Sequence, residues 1–181
     1  MKTYRDVIRF WFEDHGSDDW FGAKTEFDEE LKSEFFETHA QVAAGEAWHW
    51  RETADGRVAE IVVLDQFSRQ FYRGGAEAFA TDRMALALAQ ELVQQGLDAA
   101  LDHDRRMFAY MPFMHSESAV VQEEAVRLFT GLGDENALKF ELAHRDVIAR
   151  FGRFPMRNAA LGRTSTAEEE AYIADRQGKM F

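Results

Sequence analysis

Apolar residues recur along most of this chain three and four positions apart, the spacing of helices that each bury one face. Tyr4, Val7, Ile8 and Trp11 share a face of a first helix. Thr3 caps it, with Asp6 three residues on as the other half of a capping box. It ends near Glu13, a polar turn spans 14–19, and Trp20-Phe21 re-enters the core. Thr25 with Asp28 repeats the cap signature, and Phe27, Leu31, Phe35 and Thr38 or His39 carry a second helix to Gly45. Trp48 and Trp50 fall in a short helical segment ahead of a turn at Asp55-Gly56.

The third helix, 57–72, is apolar nearly all round in its first half (Ile61, Val62, Val63, Leu64), which predicts a central helix. A fourth starts at Thr81-Asp82 and stops at Gly96; a fifth runs from Asp102 and is broken by Pro112. Ser116 or Ser118 caps a sixth through Val120 and Phe129 to Gly131 and Gly133, and a seventh covers 134–151 before Gly152. A short last helix follows Thr166, whose partner Glu169 completes the best capping box in the chain. Strand-like alternation is almost absent. The pattern predicts an all-α fold of seven to eight helices, stacked as antiparallel pairs or a bundle, in one domain over 1–181 with no linker or composition break.

Composition and charge add to this picture. Sixteen Phe and four Trp predict an aromatic core. No cysteine is present, which removes disulfides, thiolate metal sites and cysteine nucleophiles. The first residues are amphipathic rather than a signal-peptide core, and no apolar run approaches the ~18 residues of a membrane span, so a soluble, cytoplasmic protein is expected. A net charge of -12 argues against nucleic acid as a partner.

Within that acid, the window 144–163 holds five arginines against one aspartate. So compact a run of guanidinium groups is expected to face something anionic: acidic helices of the same protein or an acidic ligand. His144, Arg145 and Asp146 fall near the end of the seventh helix, where basic groups complement its dipole, and Arg150 belongs to the same run. Arg153, Arg157 and Asn158 follow Gly152 in a loop held by Pro155 and flanked by Phe151 and Phe154. Asp65, Arg69 and Arg73 stand at i, i+4 and i+8 on one side of the third helix. His115 and Glu117 sit where the fifth helix gives way to the sixth, at a helix start suited to an anion. Should chemistry occur, His115 or His144 is the candidate acid/base, with Glu117 or Asp65 as partner carboxylate. The spacings of His115, Glu117, His144 and Asp146 match no established metal-ligand pattern, and phosphate-loop, zinc-protease and nucleophile-elbow motifs are absent. No cofactor or metal is therefore expected.

Several long stretches carry a resemblance: 64–74 (LDQFSRQFYRG), 78–82 (AFATD), 110–117 (YMPFMHSE), His144-Arg145-Asp146-Val147-Ile148, Arg150 to Pro155, Arg157-Asn158, and Leu161-Gly162-Arg163. In this order, and over nearly the whole chain, they resemble the bacterial DUF924 family. The resemblance implies a fold similar to tetratricopeptide-repeat proteins, with antiparallel helix pairs stacked into a superhelix. It implies no activity. Two positions depart from the family pattern: Ser68 stands where a proline is expected, and Met156 where a histidine is common. The second weakens any histidine-based role in that loop.

Two functional readings stand open, and neither decides whether the protein is an enzyme. In one, Arg69, Arg73, His115, Arg145, Arg150, Arg153, Arg157 and Asn158 line a polar pocket for a small anionic ligand or substrate. In the other, the protein is an adaptor whose helical groove binds an acidic peptide, and the ionic cluster is structural.

Overall fold

The computed structural model describes residues 1–22 and 24–176, and among these every regular element is helical. No helix among them is long and apolar enough to cross a membrane. The chain forms two compact units: Met1–Arg73 with Glu77–Pro112, and Gly74–Ala76 with Phe113–Phe181.

In the first unit, helix α1 (Tyr4–Ile8) opens with the expected Thr3–Asp6 capping box and continues as a widened π-turn over Arg9–Asp14. A single helical turn, α2 (Ser17–Trp20), brings Trp20 inward, where its Nε1–H donates to the Trp11 carbonyl at 2.8 Å. Helix α3 (Thr25–Ala43) begins one residue earlier than its cap signature predicts. Lys24 is the N-cap, and Thr25 lies already inside the helix. Gly45 then turns the chain at φ 81°, as a left-handed helix stop requires.

The central helix is longer than its sequence suggests. Helix α4 (Ala54–Val62) passes through a π-turn (Val63–Phe67) into α5 (Ser68–Phe71), so Asp55 and Gly56 lie in a first turn of helix and not in a loop. Two local causes explain the difference. The Thr53 hydroxyl accepts the Gly56 N–H at 3.0 Å, which caps the helix three residues upstream. A Cβ on Gly56 would sit 1.9 Å from the Trp50 carbonyl oxygen, so glycine is present for close approach. Val58, Ala59, Ile61, Val62, Val63, Leu64 and Phe67 are all fully buried, which makes this helix the core of the unit. In the widened turn the Leu64 carbonyl accepts the hydroxyls of Ser68 (2.7 Å) and Thr81 (2.6 Å). Thr81 is thereby taken from its expected role. It precedes α6 (Asp82–Gln94) without capping it.

Helix α7 (His103–Met114) runs through Pro112 rather than breaking there. The proline stands in the last turn, where a missing N–H removes a single rung of the ladder. The Gln122 amide donates to the carbonyls of Met114 and Ser116, both at 2.8 Å, and so closes the exit from that turn. Helices α8 (Ala119–Leu132) and α9 (Glu135–Phe151) then pack as a hairpin across Gly133 and Asp134. Asp134 caps α9 through the N–H groups of Asn136 and Ala137. Gly152 ends α9 at φ 69°, followed by a 3₁₀ turn at Pro155–Arg157 where an irregular loop was expected. The last helix, α10 (Ala167–Asp175), has the predicted Thr166–Glu169 capping box.

Candidate functional site

The arginine-bearing segments bring their own carboxylates with them. In the first unit Asp65 is fully buried, and Arg69 one turn on approaches its Oδ1 at 3.0 Å. Arg69 also forms a fork with Asp82, at 2.9 and 3.0 Å. Burial disfavours the Arg69 charge, but Asp65 and Asp82 outweigh it and raise the guanidinium above its ordinary value. Arg73, the third member of that helix face, departs from the other two. It donates to Asp28 of α3 at 2.8 Å and stays half-exposed.

In the second unit the pairs form a continuous network. Glu117 accepts two bonds from Arg163, at 2.7 and 3.0 Å, and the Phe154 N–H at 2.7 Å. Burial pushes the Glu117 carboxyl up, yet the bonds from Arg163 and Phe154 and the charges of Arg163 and Arg157 hold it below its ordinary value. Arg163 donates further to the Asn158 side-chain oxygen (2.9 Å) and the Phe154 carbonyl (3.0 Å). Asn158 is buried and donates to Ser165 at 3.0 Å. Arg153 grips Glu169 with two bonds at 2.7 and 2.8 Å. That fork and the Thr166 N–H hold the Glu169 carboxyl down to about 2. Arg150 pairs with Glu168 and Arg145 with its neighbour Asp146, both towards solvent. The anchors of this network are Arg163 and Glu169. Glu169 was legible as a capping-box residue, but its second partner Arg153 lies sixteen residues away and has no local signal.

His115, His144 and Arg157 have different surroundings. Arg157 lies over the Phe154 ring at 4.4 Å from its centroid and donates to the His115 carbonyl at 3.0 Å. The His115 and His144 rings are 6.2 Å apart, and His144 stands edge-on to Phe154 at 5.6 Å. His144 Nδ1 is 2.8 Å from the Phe140 carbonyl, which can only accept, so Nδ1 carries the proton of the neutral ring. Among the described residues no group of three or more His, Asp or Glu is arranged to hold a metal ion, and His115, Glu117, His144 and Asp146 do not form one.

His144 and Arg157 meet at a cleft whose other walls are Val147, Phe154, Pro155, Met156 and Tyr172. Val147, Ile148 and Phe154 form the apolar cluster behind it, with Phe151 and Tyr172 packed against them. Arg69 and Arg73 belong to the first unit and line no part of it. Tyr172 was not singled out by sequence. It is a lone aromatic on a short acidic helix, and only the fold carries it to this wall.

One buried group stands apart. Glu141 on α9 is fully buried, and neither carboxyl oxygen has a hydrogen-bond partner among the described residues. Burial pushes its carboxyl up to about 8, opposed by Arg145 one turn on, so it is protonated at neutral pH. The signal was available: Ala137, Glu141 and Ile148 share the buried face of α9.

With this geometry in view, the sequence matches over residues 7–177 the family model described as "Bacterial protein of unknown function (DUF924)". A solved structure of a protein of unknown function, ATU0120 from Agrobacterium tumefaciens, is similar at a TM-score of 0.90 and 37% identity, covering 95% of this chain and 97% of that one. No curated protein matches.

Proposed function

We propose, for a chain that belongs to the DUF924 family of bacterial proteins of unknown function, that the cleft of the second unit binds a small organic anion with an apolar body. The observation that carries this reading is the lining: apolar and aromatic walls from Val147, Phe154, Pro155 and Tyr172, with the Arg157 guanidinium and the His144 imidazole among them. Ligand sites combine mostly apolar walls with a few placed polar groups, and this lining has that composition. A carboxylate suits the guanidinium, and the ligand's apolar part suits the rings. Arg153 and Arg163 serve a second purpose, tying the segments around the wall together through Glu169 and Glu117.

A thermal-shift series with hexanoate, acetate and inorganic phosphate tests this. Hexanoate raises the melting temperature, whereas acetate and phosphate at equal concentration do less, because they leave the apolar walls uncovered. At about 100 times its dissociation constant a ligand adds ~2.7 kcal/mol, an easily measured shift. Arg157→Ala abolishes the hexanoate shift. If none of the three ligands moves the wild-type melting temperature while an acidic peptide does, the binding surface is a groove for a protein partner and the small-ligand reading is lost.

A further inference from the structure

Helix α9 carries its cleft-side residues on one stripe: His144 and Val147 line the cleft, and Phe151 packs against the apolar cluster behind it. Phe140 continues that stripe upstream. It stands four residues before His144 and seven before Val147, a spacing that keeps all three on one face of the helix. The His144 ring is drawn back over the turn between them by the 2.8 Å bond from Nδ1 to the Phe140 carbonyl, so the edge of the cleft borders the Phe140 turn. Phe140 is 51% exposed, and Met156, a lining residue on the 155–157 turn, is 43% exposed. Elsewhere along the wall the apolar surface is taken up by packing: Phe151 and Tyr172 stack their rings 5.1 Å apart against Val147, Ile148 and Phe154. The apolar lining therefore meets water at Met156 and continues along α9 to Phe140.

We infer that the ligand of this cleft is a straight-chain fatty carboxylic acid whose chain runs out along α9 and is covered by Phe140, which makes Phe140 the residue that sets chain length. This rests on the cleft being a small-anion site as proposed above, and it names the class of anion. Charge decides the head group, since the guanidinium among the apolar walls is that of Arg157. The continuing stripe decides the tail. One exposed apolar side chain is ordinary on a protein surface, but Phe140 and Met156 both adjoin a cleft that already offers apolar walls and a cation. The step from His144 to Phe140 is one helical turn, ~5.4 Å, about the length of four methylenes in an extended chain. A chain lying there takes apolar surface of its own and of the Phe140 ring out of water, which is favourable and needs no directional partner.

Two probes separate this inference from the reading beneath it: hexanoate, and decanoate below its micelle-forming concentration, which has the same head group and four more methylenes. Calorimetric titration of the wild type is expected to give about tenfold tighter binding of decanoate, because each added methylene buries about half of its surface. Phe140→Gln keeps a good helix former at an exposed position, so the protein folds as before. It changes hexanoate affinity less than about twofold and cuts the decanoate preference to less than about threefold. Trp48→Gln is the control: Trp48 is 67% exposed but lines no part of the cleft, and its replacement leaves the preference at tenfold. Equal affinity of the two probes in the wild type, or a preference that survives Phe140→Gln, overturns the inference while hexanoate binding still supports the cleft. An equal loss in Trp48→Gln also overturns it, since decanoate would then adsorb to any exposed ring. Sedimentation of the unliganded proteins covers the remaining occupant: a wild-type dimer that Phe140→Gln converts to a monomer assigns the ring to a contact between copies and overturns the inference. Absence of binding by both probes removes the site and the inference with it.

Discussion

Glu141→Gln makes this protein more resistant to urea than the wild type at pH 8, and the advantage shrinks towards zero as the pH is lowered to 5. The cause is the fully buried, unpartnered carboxyl on α9. Its value in the folded protein, about 8, lies above its ordinary 4.5. Between those limits the folded chain holds a proton that the unfolded chain has released. Stability from this group is therefore fully present below pH 4.5 and is lost as the pH rises through 8. Each unit of difference is worth about 1.4 kcal/mol, and Arg145 and local rearrangement reduce the total, so a gain of about 2 kcal/mol at pH 8 is expected for glutamine. Glu141→Leu, which also removes the unsatisfied polar atoms, gains at least as much. Urea unfolding of wild type and Glu141→Gln at pH 5, 6.5 and 8 checks this. Parallel stability profiles would mean that the carboxyl is ionised and paired in solution.

Arg163→Ala has the opposite sign and a similar size, a loss of about 3 kcal/mol. Arg163 donates to Glu117, Asn158 and the Phe154 carbonyl, with bonds between 2.7 and 3.0 Å. Its removal leaves a partly buried carboxylate with the Phe154 N–H as its remaining close donor in this set. Arg163→Lys keeps the charge but cannot reproduce the planar fork, and recovers less than half of the loss. The coupling also has a pH signature. Glu117 is held below its ordinary 4.5, so its stabilisation is present above pH 4.5 and is lost as the pH falls through the lowered value. Equilibrium unfolding at pH 7 and pH 4 of the wild type, Arg163→Ala, Glu117→Ala and the double variant measures this. The double variant costs little more than either single one, because each removes the same contact. Additive losses would show that Arg163 and Glu117 act independently.

The two variants bracket how charge is used in the second unit. Where a carboxylate found an arginine, as at Glu117 and Glu169, the pair positions the turn between α9 and α10 and hence the cleft wall. Where a carboxyl found none, as at Glu141, the group stays neutral and lowers stability.

Local chemistry was enough to place most helices. The capping boxes at Thr3–Asp6 and Thr166–Glu169, the Asp134 cap and the stops at Gly45, Gly96, Gly133 and Gly152 are short-range interactions, complete within four or five residues. Membership of the DUF924 family was legible for a related reason, since its motifs are contiguous runs. The misplaced boundaries failed where a distant group intervened. Thr81 does not cap α6 because Leu64 claims its hydroxyl, and α7 tolerates Pro112 at its last turn, with Gln122 closing the helix end; at Gly56 the cause is nearer, the Thr53 cap that starts the helix three residues early.

The arginine run could be read as a demand for anions, but not as a list of partners. Arg153 and Glu169 are sixteen residues apart, and Glu117 and Arg163 forty-six, so their pairing depends on how α9, the 155–157 turn and α10 come together. The cleft has the same origin. His144, Arg157 and Tyr172 come from three separate elements, and the hydroxyl of Tyr172 became an unpaired group only when folding enclosed it. Helical spacing and end signals act over a few residues and so are written along the chain. Burial and long-range ion pairing are properties of the packed molecule, and only the tertiary structure decided which charges were answered within the protein and which groups were presented at the cleft.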